Sequence, residues 1–119
     1  MLAELPGIGD LCRVVWRTHV REMTDLAHSE QHDLLDIVLG VETVLRTLLR
    51  PAKMNVASLG NIVPHLHWHV IPRFLDDPYF PDSIWSTPQR PFIDRTRLVS
   101  DTLRTALHEQ LKHLPKIPL

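Results

Sequence analysis

A single cysteine, Cys12, is all the thiol chemistry this 119-residue chain has. It cannot form an intramolecular disulfide, and its apolar setting, "LCRVVW", predicts a buried thiol in a reducing compartment. An excess of charge of either sign is missing too. Thirteen basic and 14 acidic residues leave a formal net charge of −1. The basic residues are scattered, so no nucleic-acid or acidic-membrane footprint is expected. No apolar run approaches the roughly 20 residues that cross a bilayer. The opening "MLAELPGIGD" lacks the basic stretch and long apolar core of a signal peptide, and a cytoplasmic protein is expected. Repeats and low-complexity segments are absent as well. What is there is ordinary for a globular protein, 44% hydrophobic and 23% charged. The length suits one domain able to bury a core without staples.

Periodicity organises the chain. Residues 11–16 are short and β-prone, and His19 follows in a polar turn. Leu34, Val38, Val41, Leu45 and Leu48 then recur at spacings of three and four, with Leu35 and Leu49 widening the stripe. That pattern predicts an amphipathic helix over 29–50 whose apolar face is core. Ser29 is its expected N-cap, Glu30 suits the first turn, and Pro51 ends it after Arg50. Gly40 within it costs roughly 1 kcal/mol relative to alanine, which close packing would explain. Two β-like runs follow, "MNVASL" (54–59) and "LHWHVIPR" (66–73), separated by "GNIVPH".

The next stretch, "LDDPYFPDSIWSTPQRPF", is too rich in proline for a regular element and reads as an extended arm or surface loop. Its Tyr79, Phe80, Ile84 and Trp85 are too apolar for an idle linker, and a second subunit is one surface on which they could dock. A helix over about 94–113 is expected to close the chain. Asp94 would cap it, Leu98, Leu103, Leu107 and Leu111 would form its buried edge, and Pro115 would stop it.

The chemistry concentrates in "HLHWHVI", where His65, His67 and His69 alternate with Leu66, Trp68 and Val70. In an extended segment alternate side chains share a face. His65, His67, His69, Ile71 and Arg73 should therefore look towards solvent or a cleft, and the apolar set should lie on the helix. Three imidazoles plus water would suit catalytic zinc. From first to third, however, they span about 14 Å at strand rise, too far to converge on one ion without a sharp bend. Structural filling is the blander alternative, and for His28, His32, His108 and His113 a surface role suffices. Nucleophilic catalysis fits the row better. Imidazole attacks phosphorus and leaves readily, splitting one hard displacement into two easier ones. The middle histidine would then need one ring nitrogen free and its tautomer fixed by a hydrogen bond at the other.

The pattern H-φ-H-φ-H-φ-φ, with φ apolar, is met at every position of "HLHWHVI" and resembles the histidine triad (HIT) family of nucleotide hydrolases and transferases. "NVASLGNIVPHLHWHVIPRF" is similar to the family's Asn-containing strand, glycine turn and triad strand. The likeness covers about residues 11–74 and is most specific over 53–73. "LCRVVWRTHVREMTDL" and "FLDDPYFPDSIW" resemble a bacterial HIT-like subgroup often labelled diadenosine tetraphosphate hydrolase-like.

The resemblance implies that His67 is the nucleophile nucleotidylated on the α-phosphate. It implies that His69 contacts phosphate oxygens near the leaving group and that His65 orients His67. It also implies that Asn55 lies near ribose and phosphate and that Asn61 takes the place of a phosphate-contacting Gln. For the two asparagines, turn chemistry beside Gly60 is the alternative. His19 falls at a histidine often present after the earlier strand. Three departures stand beside the match. Ile62 replaces a serine that helps the leaving group in several members, and Leu11 stands about where many have a fourth histidine. Members also usually begin some tens of residues earlier, with segments that hold the base and ribose. A late start codon or a partner-completed site is the corresponding expectation here.

The expected molecule is thus a single α+β HIT-like domain over 1–119, an antiparallel sheet packed on the 29–50 helix. Its core covers about 11–74, and 75–119 forms an arm plus C-terminal helix. The resemblance implies a homodimer acting on a small-molecule nucleotide, with no cofactor, and a divalent ion only as an accessory to a polyphosphate substrate. The expected reaction is hydrolysis of a nucleotide phosphoanhydride or phosphoramidate, such as a dinucleoside polyphosphate. The rival expectation is a non-catalytic nucleotide-binding or interaction protein with a degraded pocket.

Overall fold

The computed structural model describes residues 2–5, 9–93, 100–112 and 114, with residues 2–5 and Ser100 given as backbone alone. Among these residues four strands, β1 (Leu2–Leu5), β2 (Gly9–Val15), β3 (Lys53–Ala57) and β4 (His67–Arg73), accompany two α-helices, α1 (His28–Leu49) and α2 (Ser100–Leu111), and a short 3-10 turn at Met23–Asp25. The strands form one antiparallel sheet in the order β1-β2-β4-β3. The α+β architecture of an antiparallel sheet packed on a helix is therefore present, with an arm and a helix on its C-terminal side. β1 is an addition, because a four-residue strand offers too few alternations to register as a period.

The 3.6-residue period sets α1. Leu34, Ile37, Val38, Val41, Val44 and Leu45 are buried on one face, whereas Leu35 and Leu48 sit exposed at its edge. The stripe thus widens towards Ile37 and Val44 rather than towards Leu35. Ser29 is not the N-cap; Ala27 is, in extended conformation. Alanine carries no side-chain acceptor, and the end is tied instead by the Ala27 N–H donating to Glu30 Oε1 at 2.9 Å, half of a capping box. At the other end Arg50 turns left-handed (φ 49°) and its N–H donates to the Arg46 carbonyl at 3.1 Å before Pro51. Gly40 does serve close packing, since a Cβ there would lie 2.7 Å from Leu111 Cδ2 of α2. Asp94, Leu98 and Pro115 lie outside the described residues. Leu103 of α2 is buried, and Leu107 and Leu111 pack partly buried against the core.

Both faces of the sheet are covered. On one, Cys12, Val14, Met54, Leu66 and Val70 meet the α1 stripe. Cys12 is buried there, and burial pushes its thiol up to about 11, which keeps it protonated and inert. On the other face, Leu11 and Ile71 form a second cluster with Tyr79 and Ile84 of the arm. The arm therefore docks on its own sheet, although none of it is helix or strand. It also covers half of the histidine face, because Ile71 and Arg73 lie under it. Only the end of that face nearest His65 and His67 stays partly open.

A buried ion pair pins the arm where it leaves β4. Arg73 is 2% exposed and Asp77 0%. The guanidinium donates twice to the carboxylate, Nε to Oδ2 at 2.9 Å and NH2 to Oδ1 at 3.0 Å. The same carboxylate accepts the backbone N–H groups of Phe74, Tyr79 and Phe80. Further along, Arg90 donates to the carbonyls of Asp77 and Phe80. Backbone that would otherwise need water is thus satisfied inside the arm.

Candidate active site

Pairing of β2 with β4 builds the site. It sets Val15 opposite His67 and Arg13 opposite His69. It also carries the chain onward from β2, so that the Trp16 N–H donates to the Leu66 carbonyl at 3.1 Å and the Leu66 N–H to Val20 at 2.8 Å. His65 consequently sits in the bend just before β4, beside residues 16–20, not in the strand itself.

Each imidazole has its own environment. His67 Nδ1 lies 2.6 Å from the His65 carbonyl oxygen. A carbonyl only accepts, so Nδ1 carries the proton and the Nε2 lone pair is free. By the same logic His65 Nε2 donates to the Trp16 carbonyl, which leaves His65 Nδ1 as an acceptor. His19 Nδ1 lies 3.0 Å from it and donates. Three histidines thus form a directed series: the His19 ring holds the His65 ring, and the His65 main chain fixes the tautomer of His67.

His69 is the deepest of the row, 8% exposed. Burial first, then the neighbouring charges of His67 and Arg13, lower its pKa from the ordinary value, so it is neutral at pH 7. Its ring stands edge-on to His67 (centroids 5.0 Å apart, 78°) and edge-on to Trp85 of the arm (5.1 Å, 73°). Among the described residues, its buried Nδ1 has no hydrogen-bond partner.

The two asparagines go elsewhere. Asn55, on β3, accepts a hydrogen bond at Oδ1 from Arg73 NH1 at 2.8 Å, so its carbonyl belongs to the Arg73–Asp77 network. Asn61 is exposed on the turn after Gly60 and lines a hollow with Arg21, Glu22 and Pro64; none of the histidines lines it. Ile62 beside it is 94% exposed. Leu11, at the expected place of a fourth histidine, is buried in the cluster that seats the arm. Among the described residues no group of three or more His, Cys, Asp or Glu is placed to hold a metal ion.

The HIT domain family model matches residues 4–76, well over half of the chain. The chain belongs to the HIT family. Solved histidine triad proteins agree in shape. One from Bradyrhizobium japonicum is 28% identical, with a TM-score of 0.66 over 85% of this chain and 75% of that one. One from Marinobacter aquaeolei VT8 is 27% identical, with a TM-score of 0.67 over 94% and 88%. A third, from Sinorhizobium meliloti 1021, is 24% identical with a TM-score of 0.59 over 91% and 84%, a likeness of fold alone. No curated protein matches the chain. Within this HIT domain, two contacts escaped the reading of the sequence, His19 on His65 and Trp85 on His69. His19 had a signal, a histidine just past the β2 segment. Trp85 had none beyond its apolarity.

Proposed function

We propose that this HIT protein hydrolyses a nucleotide phosphoanhydride or phosphoramidate, such as a dinucleoside polyphosphate, through a nucleotidyl-His67 intermediate. The observation that carries the reading is the hydrogen bond from His67 Nδ1 to the His65 carbonyl. That bond leaves Nε2 as a directed nucleophile and stabilises the ring as positive charge develops on it. In the first step the Nε2 lone pair attacks the α-phosphorus. A P–N bond forms, the bond from phosphorus to the leaving group breaks, and the leaving group departs with the bonding pair and takes up a proton. Water then attacks the same phosphorus, the P–N bond returns its pair to His67, and a nucleoside monophosphate is released. Neutral His69, edge-on beside His67, supplies an N–H from Nε2 to the phosphate oxygens, which leaves its one lone pair on the enclosed Nδ1. Incubation with adenosine 5′-phosphoramidate and with diadenosine tetraphosphate tests the reading. AMP should form, and samples quenched in alkaline denaturant, where a P–N bond to imidazole survives, should carry an adenylyl group on the His67 peptide. Turnover should persist in EDTA for the phosphoramidate.

His19 acts in this scheme as a positioning residue. His19→Ala should lower kcat about tenfold, the cost of a slightly misplaced reacting group, and leave KM within twofold. His19→Gln, which keeps a donor, should recover most of the loss. A rise in KM with kcat intact would contradict the assignment.

A second reading, a non-catalytic nucleotide-binding or interaction protein, is favoured by the asparagines, since Asn55 is engaged by Arg73 and Asn61 faces another hollow. Nucleotide binding without AMP release or adduct would select it. A homodimer and a cytoplasmic location belong to the proposal as well. Exposed Leu59, Ile62 and Val63 offer apolar contact to a second copy, and a monomer mass by light scattering at working concentration would remove the dimer.

A further inference from the structure

The proline-rich arm could have been a passive cover for one end of the sheet. Its anchors all lie on either side of one residue. Asp77 and Arg90 tie its two ends, and Ile84 is seated in the Leu11–Ile71 cluster. A tight turn, with the Ser86 N–H and Oγ–H both donating to the Ser83 carbonyl at 3.1 and 2.6 Å, then fixes the chain around Trp85. The side chain so delivered is not spent on the core. Trp85 remains 52% exposed, whereas Trp16 is fully buried. Among the described residues its one ring contact is with His69, at 5.1 Å.

We infer that Trp85 is the platform on which the base of a bound nucleotide stacks. The inference rests on the nucleotide reading of the histidine site and adds where the base goes. Two ring-to-ring steps, 5.0 Å from His67 to His69 and 5.1 Å from His69 to Trp85, put the indole no more than about 10 Å from the nucleophile's ring, a span that one nucleoside 5′-phosphate bridges. An indole presented by a hydrogen-bonded turn and leaning on His69 has less conformational freedom to lose when a flat ring lies on it than one on an unanchored loop. Every nucleobase has such a face, so the platform selects for a base rather than for one base.

Trp85 also shields His69, and the test separates stacking from shielding. AMP and ribose 5-phosphate are titrated against the wild type and against Trp85→Tyr and Trp85→Leu, the first keeping an aromatic face and the second only apolar cover. AMP should quench indole fluorescence in the wild type, and ribose 5-phosphate should not. Isothermal titration should show AMP affinity kept within about threefold in Trp85→Tyr and reduced about tenfold or more in Trp85→Leu, the usual size of one base–aromatic stack. Ribose 5-phosphate affinity should be the same in all three. Equal AMP affinity in Trp85→Leu and wild type, or an equal loss for both ligands, overturns the platform. Failure of the hydrolase reading looks different: AMP quenches Trp85 as expected, yet no adenylyl group appears on His67.

Discussion

His67→Ala is expected to abolish AMP release, by a factor on the order of 10⁴ or more in kcat, with no adenylyl adduct anywhere in the chain. The size of the effect follows from the division of labour around the ring. No other described nitrogen combines a fixed proton at Nδ1 with a free Nε2 on the open end of the face. His69 cannot substitute, because it is buried beneath Trp85 and its Nδ1 is enclosed. The His65 ring is occupied at both nitrogens. His65→Ala should be milder for a specific reason: the acceptor for His67 is the main-chain carbonyl of residue 65, which alanine retains. The ring only anchors that carbonyl, through Trp16 and His19. Rapid-quench measurement of adduct formation separates the two variants, and equal losses in them would sink the main-chain account.

Asp77→Ala is expected to be the most destabilising single change among the residues described here, by about 3–5 kcal/mol, or roughly 10–20 °C in Tm for a domain of this size. The loss is not that of one salt bridge. Removing the carboxylate leaves the Arg73 guanidinium buried without its counter-charge and orphans the N–H groups of Phe74, Tyr79 and Phe80. Replacing Arg73 as well, by methionine, relieves only the charge. The three N–H groups and the Asn55 carbonyl would still lack partners, so the double variant should recover part of the loss and not all of it.

The same carboxylate makes a pH prediction. Burial by itself would raise its pKa, but the Arg73 hydrogen bonds, the Phe74 and Tyr79 N–H groups and the Arg73 charge outweigh that and hold it below the ordinary value. A carboxyl depressed in the folded state contributes fully above its unfolded pKa of about 3.9. That contribution is lost as pH falls through the folded value. Chemical-denaturation midpoints should therefore drop steeply below about pH 4 in the wild type. In Asp77→Asn the same segment should be flatter, and parallel curves would show that other carboxylates govern the acid limb.

Local regularities were legible in the sequence because they repeat within a few residues. The three-and-four spacing from Leu34 to Leu45 marked α1, and alternation in "LHWHVI" marked β4 and separated its histidine face from its core face. The residue types in that row are the ground on which phosphorus chemistry at His67 is proposed. Even so, the ends of α1 were set by detail that periodicity does not carry. Ala27 became the N-cap because Glu30 reaches back to its N–H, and Ser29 fell inside the first turn.

What tertiary structure alone decided are the contacts between distant segments. His19 and His65 are 46 residues apart and meet only because β2 pairs with β4 in one register. A shift by one residue would turn His65 from Trp16 and His67 from the open face. The family resemblance implied that Asn55 lies near ribose and phosphate, yet Arg73, on the directly paired strand β4 and 18 residues away, claimed its carbonyl. Arg73 itself read as an outward-facing residue, and the arm folded back and buried it on Asp77. Spacing along a chain reports which face a side chain takes. Whether that face meets solvent, a helix or the chain's own returning arm is settled by competition for burial and for hydrogen-bond partners across the whole domain, and that competition has no period to read.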